Sequence, residues 1–228
     1  MLQRTLEPEV MDTPEEARDY DAMDHSHVNR VFVDDLLAFA KQSGWTEERI
    51  RTADILDLGT GTALIPLQLV RQFPISGCLL AVDLSAEMLK LAIANVRAAD
   101  ASSIIFPLYS DAKCLSVADQ SCDFVMSNSI IHHIPEPLLV FREMRRVLKP
   151  GGILFVRDLM RPDSREQVEQ LVATYTVNEN AHQRQMFRQS LHAALTVADV
   201  SNLLQQSGFD GASVQQNSDR HWTAATVG

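Results

Sequence analysis

Three acids and two glycines carry the first chemical signal in this chain. Asp57, Asp83 and Asp111 each fall at the end of a short apolar run or just beyond one. If those runs are parallel strands, the three carboxylates enter one crevice at the carboxyl ends of the strands. Asp57 opens the stretch Asp57-Leu58-Gly59-Thr60-Gly61-Thr62-Ala63. Glycine at positions 59 and 61 permits a sharp turn and lets a ligand approach with no Cβ in the way. The N–H groups of the helix that follows then face whatever sits there. The pattern is that of a nucleotide-type cofactor site.

A second group of reactive side chains lies in Ser127-Asn128-Ser129-Ile130-Ile131-His132-His133-Ile134-Pro135, after a fourth apolar run. Neutral imidazole can take a proton from a reacting group, which makes His132 the candidate general base. One histidine of the pair can equally serve only to bond backbone. A metal site is not expected, because adjacent histidines rarely aim at one ion without added ligands. His25 and His27 either close over the pocket or sit at a helix start, the second reading weighing more. Arg157 or Arg161 could hold an anionic group, or Asp158 and an arginine could form a structural pair.

These residues need strands and helices to position them. Pro14, tolerated in a first helical turn, can start a short helix through Tyr20, and apolar spacing predicts a helix over His27–Gln42. Strands are expected over Ala53–Leu58, Cys78–Asp83, Ser103–Tyr109, Asp123–Ser127 and Ile153–Arg157. Pro107 places the third of these near a sheet edge. Helices fall between them, over Thr62–Phe73, from the Ser85 cap onward, and over Pro135–Leu148, with Lys149-Pro150-Gly151-Gly152 as terminator. The stretch Pro162–Leu195 is polar and helix-prone. Thr196 and Asp199 resemble a capping box for a last helix to Ser207, and strands near Ala212–Gln215 and Trp222–Thr226 close the chain. Strands alternating with helices mean a parallel α/β sheet, here with an antiparallel closing pair. Residues 1–13 read as a disordered or loosely docked tail.

Composition narrows the partners. The chain has 228 residues, 46% of them hydrophobic and 22% charged, with a net charge of −10. That sign disfavours a nucleic-acid backbone as the main partner. No apolar run approaches the roughly 20 residues of a membrane span, and no secretory signal is apparent. Three cysteines without C-x-x-C spacing argue against a disulfide framework or zinc site and suit a reducing, cytoplasmic compartment.

Two cofactors compete for the crevice. A nicotinamide dinucleotide site wants a third glycine where Leu64 stands, and Asp57 would bring like charge towards the pyrophosphate. S-adenosylmethionine has no phosphate and carries a sulfonium and an ammonium, so an acid-rimmed cleft suits it. Asp83 can accept from both ribose hydroxyls. Asp111 can accept from the adenine amino group while the Ala112 N–H donates to the ring. Leu84 and Met88 are placed to pack the adenine faces.

Asp54–Ala63, Ala81–Leu89, Ser110-Asp111-Ala112, Asp123–Pro137 and Leu148–Gly152 together resemble a class I S-adenosylmethionine-dependent methyltransferase, in its small-molecule branch. The resemblance spans about residues 20–158. It implies a Rossmann-like, doubly wound, seven-stranded and mostly parallel sheet, with helices on both faces and an antiparallel last strand. It implies cofactor contacts at Asp57, Gly59, Thr60, Gly61, Asp83, Leu84, Met88, Asp111, Ala112 and Asn128, with Tyr20 near the methionine end. Ala63 departs from the pattern, many members having glycine there. The expected organisation is a helical cap over residues 1–45 and the methyltransferase domain over 46–228. Within that domain a helical lid insertion falls at about 159–195. The expected activity is transfer of a methyl group to a small-molecule oxygen, nitrogen or carbon acceptor. A protein methyltransferase, a non-catalytic cofactor-binding module and a dinucleotide oxidoreductase are the alternatives.

Overall fold

The computed structural model describes residues 2–10, 12–177 and 179–228. Two helices come first, α1 (Pro14–Ala22) and α2 (Ser26–Gln42), then a short α3 (Glu47–Arg51) that the sequence reading did not assign. The alternating part runs β1 (Ile55–Leu58), α4 (Leu64–Gln72), β2 (Leu79–Asp83), α5 (Ala86–Ala98), β3 (Ile105–Tyr109), β4 (Cys122–Asn128), a 3-10 turn (Ile131–His133), α6 (Pro137–Val147) and β5 (Leu148–Leu159). Two helices follow, α7 (Arg165–Tyr175) and α8 (Ala181–Ala193), then α9 (Val197–Gln206), β6 (Ser213–Gln216) and β7 (His221–Val227).

The seven strands form one sheet in the order β3-β2-β1-β4-β5-β7-β6. β7 lies antiparallel between β5 and β6, and the other neighbours pair in parallel. The doubly wound sheet with an antiparallel last strand is therefore as the sequence implied. β3, which carries Pro107, is one of the two edge strands, β6 being the other. The chain winds outward through β2 and β3, then returns to place β4 on the other side of β1. That reversal opens a crevice at the carboxyl ends of β1 and β4.

Successive strand residues point to opposite faces. Ile55, Phe124, Ile153 and Phe155 join Phe32, Leu36, Leu67 and Leu89 in a core on one face. Leu56, Val125, Leu154 and Val156 join Phe141, Met144, Leu204 and Trp222 on the other. Burial on both faces is why these strands read as continuous apolar runs. The Ser85 hydroxyl accepts from the Met88 N–H, and the Thr196–Asp199 capping box is formed. Among the described residues no helix is long and apolar enough to cross a membrane.

Two expectations are corrected. β5 begins at Leu148, not Ile153. Leu148 pairs with Cys122 and Ile153 with Phe124, so Lys149-Pro150-Gly151-Gly152 form an irregular stretch within the strand rather than a terminator before it. The chain end holds it there, the Gly151 N–H donating to the Gly228 carbonyl at 2.7 Å. The described part of the N-terminal tail is docked rather than loose. Arg4 donates to the carbonyls of Ala193, His132 and Ile134 at 2.7, 3.1 and 3.0 Å. Leu2 packs on a small apolar cluster formed by Leu159, α7 and α8.

Candidate active site

The turn after β1 and the loop after β4 meet at the reversal point. Gly59 and Gly61 have φ of +71° and +55°, a region where side chains are strained. A Cβ on Gly59 would stand 1.8 Å from Ile130 Cγ2, so the two segments touch through a space only glycine leaves. The Gly59 and Thr60 N–H groups donate to the Val82 carbonyl at 2.8 and 2.9 Å, tying the turn to β2.

Asp83 is held from both sides. Its Oδ2 accepts from the Gly61 N–H at 2.7 Å and its Oδ1 from the Ser85 N–H at 2.8 Å. Burial, opposed by these bonds, raises its pKa. It still lines the cleft, and each carboxylate oxygen keeps a further lone pair for a ligand. Tyr20 crosses from α1 to within 3.5 Å of the position a Gly61 Cβ would take. Gly59, Gly61, Leu84 and Met88 line the same cleft, as do Asp111, Ala112 and Asn128. Asp57 and Thr60 do not line it; both are buried next to the turn. Burial pushes the Asp57 carboxyl up to about 7, Thr60 opposing and the charge of Asp83 adding.

The one lysine or arginine lining the cleft, among the described residues, is Lys113. Glu9 and Asp111 already pair with it. A pyrophosphate would find no free cation here, whereas a cationic ligand bearing a diol and an amine finds acceptors. The residues present thus fit S-adenosylmethionine and do not fit a dinucleotide.

A model described as a methyltransferase domain matches residues 56–156, the stretch that holds the turn, β2, β4 and both histidines. Over this stretch the chain resembles S-adenosylmethionine-dependent methyltransferases. The chain is 29% identical to an arsenite methyltransferase of Halobacterium salinarum over 164 residues, 70% of this chain and 38% of that protein. It is 30% identical to a demethylmenaquinone methyltransferase of Desulfitobacterium hafniense, over 56% of this chain and 53% of that one. It thus spans roughly half or less of the length of these relatives. Its fold is that of a candidate S-adenosylmethionine-dependent methyltransferase from Methanococcus maripaludis, with a TM-score of 0.73 at 17% identity, covering 98% and 96% of the two chains.

Beyond the cofactor cleft lies a second cavity of about 600 Å³. Tyr20, Asn128, Ser129 and His133 line both spaces. Met186, Phe187 and Ser190 of α8 line the second one. His132 faces this second cavity and not the cofactor cleft; the imidazole that borders both is His133. His132 Nδ1 lies 2.5 Å from Asp158 Oδ1, while Asp158 Oδ2 accepts from the Ile131 and His132 N–H groups at 2.6 and 3.2 Å. Burial alone would lower the His132 pKa, but Asp158 and Glu7 outweigh it and hold it above the usual value. Burial, and then the charge of His132, push His133 down to about 3.

Arg157 and Arg161 are both engaged in the framework. Arg157 donates to Asp35 at 2.6 Å and to the Thr223 hydroxyl at 2.8 Å. Arg161 donates to Asp199 and to the Ala194 carbonyl, each at 2.9 Å. Asp158 pairs with His132 rather than with an arginine. His25 Nε2 lies 3.0 Å from the Tyr20 carbonyl, and its ring stacks 4.6 Å from the Tyr20 ring, so it braces Tyr20 at the joint of α1 and α2. Sequence reasoning missed Glu7, Glu9 and Val10, which border the two cavities from the N-terminal segment. That segment has no periodicity to signal them.

Proposed function

We propose that this chain transfers a methyl group to a small molecule through an oxygen, nitrogen or carbon acceptor atom. The observation that carries the reading is the wall shared by the two cavities. Tyr20, Asn128, Ser129 and His133 lie between an acid-lined cofactor cleft and a second, partly open cavity of about 600 Å³. Ligand pockets of a few hundred Å³ suit small molecules. The relatives named above, which act on arsenite and demethylmenaquinone by their names, support the same class.

S-adenosylmethionine supplies, when bound, a methyl group already activated on a sulfonium. What remains for the protein is alignment and the exclusion of water. Asp83 would hold the ribose, Asp111 and Ala112 the adenine edge, and Leu84 with Met88 its faces. Asp57 would set the charge beneath the Gly59–Gly61 turn. Glu9 and Val10 line the cleft from the N-terminal segment. The loop carrying His132 and His133 would face the acceptor, and α8 would serve as its lid. The free cysteines suit a reducing compartment, and the proposed location is the cytoplasm.

Titration calorimetry with S-adenosylhomocysteine, followed by incubation of methyl-labelled cofactor with fractionated extract, tests this reading. Binding together with label in the small-molecule fraction is expected. Label in protein bands would replace it with a protein acceptor. Binding without transfer to any fraction would leave a cofactor-binding module, and no binding would end the proposal.

A further inference from the structure

The geometry points to a metal site: Glu7, His132 and His133 are placed to bind one zinc-class divalent ion at the wall of the second cavity. One potential ligand atom from each lies within 4.8 Å of the other two. Glu7 Oε1 stands 3.1 Å from His133 Nδ1 and 3.5 Å from His132 Nε2. A tetrahedral zinc ion with bonds of about 2.0–2.2 Å sets its ligands roughly 3.3–3.6 Å apart.

Two further observations separate this cluster from a chance meeting of polar groups. Among the described residues Glu7 Oε1 and His133 Nδ1 are buried and have no hydrogen-bond partner, and the Glu7 side chain is only 7% exposed. Leaving such atoms unpaired is costly, and one ion would satisfy both. Asp158 occupies His132 Nδ1 at 2.5 Å. This leaves Nε2 directed at Glu7, the arrangement in which a carboxylate orients a metal-binding imidazole. Asp158 is itself fixed by the N–H groups of Ile131, His132 and Leu159.

The donor set discriminates among metals. Two imidazoles and one carboxylate suit zinc, whereas calcium and magnesium want oxygen ligands. Three protein ligands leave the fourth position for water or a ligand in the cavity. Adjacent histidines alone would not make a site. The third ligand arrives from the N-terminal segment that Arg4 pins against the loop after β4. The inference concerns ion binding and stands whether or not the methyl acceptor is a small molecule.

The 228-residue chain, stripped with a chelator, would be titrated with Zn²⁺ against a chromophoric competitor, and with Co²⁺ for its absorption spectrum. One equivalent of tight binding is expected, with a tetrahedral cobalt spectrum free of a thiolate band. Asp158→Asn should weaken binding roughly 10–100-fold, and Glu7→Gln and His133→Asn by more. Glu7 lies outside every helix and strand, so Glu7→Gln keeps the test valid even where a histidine variant fails to fold. No stoichiometric uptake, uptake unchanged in Glu7→Gln, or a cobalt–thiolate band from the free cysteines would overturn the inference.

Discussion

Asp83 accepts two backbone N–H groups and keeps a face on the cleft, while Asp57, one strand away, is sealed beneath the turn. The two acids therefore answer different experiments. Asp83→Ala removes charge-assisted hydrogen bonds worth about 1.5–3 kcal/mol each. Calorimetry should show S-adenosylhomocysteine bound about 10–100-fold more weakly. Asp57 reports through pH. Its native pKa is raised to about 7, against about 3.9 in an unfolded chain. Between those values the native state keeps a proton that the unfolded chain has lost, so stability from this group falls as pH rises. Asp57→Asn has no such loss. Melting curves should show the variant's stability relative to the parent growing from about pH 4 to pH 7 and levelling off above. A constant difference across that range would mean the carboxyl is not buried as described. Both acids were legible because each ends an apolar run beside a glycine or a helix cap. Their difference in burial was not legible, since it depends on how the Gly59–Gly61 turn folds back over Asp57.

Strands that end at one edge of the sheet explain why the glycine turn and the histidine loop act together. β1 and β4 are adjacent, with Leu58 beside Ser127 in the register. Gly59 and Ile130 consequently meet just beyond their ends. In Gly59→Ala the left-handed backbone costs about 1–2 kcal/mol and the clash with Ile130 about 1–3 kcal/mol. A fall in Tm is expected, together with loss of cofactor binding as the loop is displaced. Adding Ile130→Ala should recover part of the Tm lost to the clash, a coupling that a double-mutant cycle measures. Full additivity would show that the two residues do not touch. The strands themselves were readable because burial on both faces gives unbroken apolar runs. The true start of β5 was not, because a partner far away in the chain, Gly228, draws Lys149–Gly152 into the sheet.

At the scale of the whole molecule, residues 2–10 tie together parts that the sheet alone leaves separate. Arg4 joins the end of α8 to the loop after β4. Glu9 pairs with Lys113 beside Asp111, and Glu9 and Val10 line the cofactor cleft. These contacts run from side chains to backbone carbonyls or single charges, and so leave no periodic trace in a sequence. They also bury little apolar area: Leu2 is only partly buried against its cluster. Removing residues 1–12 should therefore shift Tm by no more than a few degrees, because both main cores are built without that segment. The cofactor cleft would lose its cover. Stopped-flow displacement of bound S-adenosylhomocysteine, in the presence of chelator, should show dissociation at least about tenfold faster, since such changes fall mainly on the off-rate. Arg4→Ala alone should move the rate in the same direction by a smaller factor, because Glu9 and Lys113 still hold the far end. An unchanged off-rate in the truncated chain, with the fold intact by circular dichroism, would show that the segment lies over the cleft without closing it.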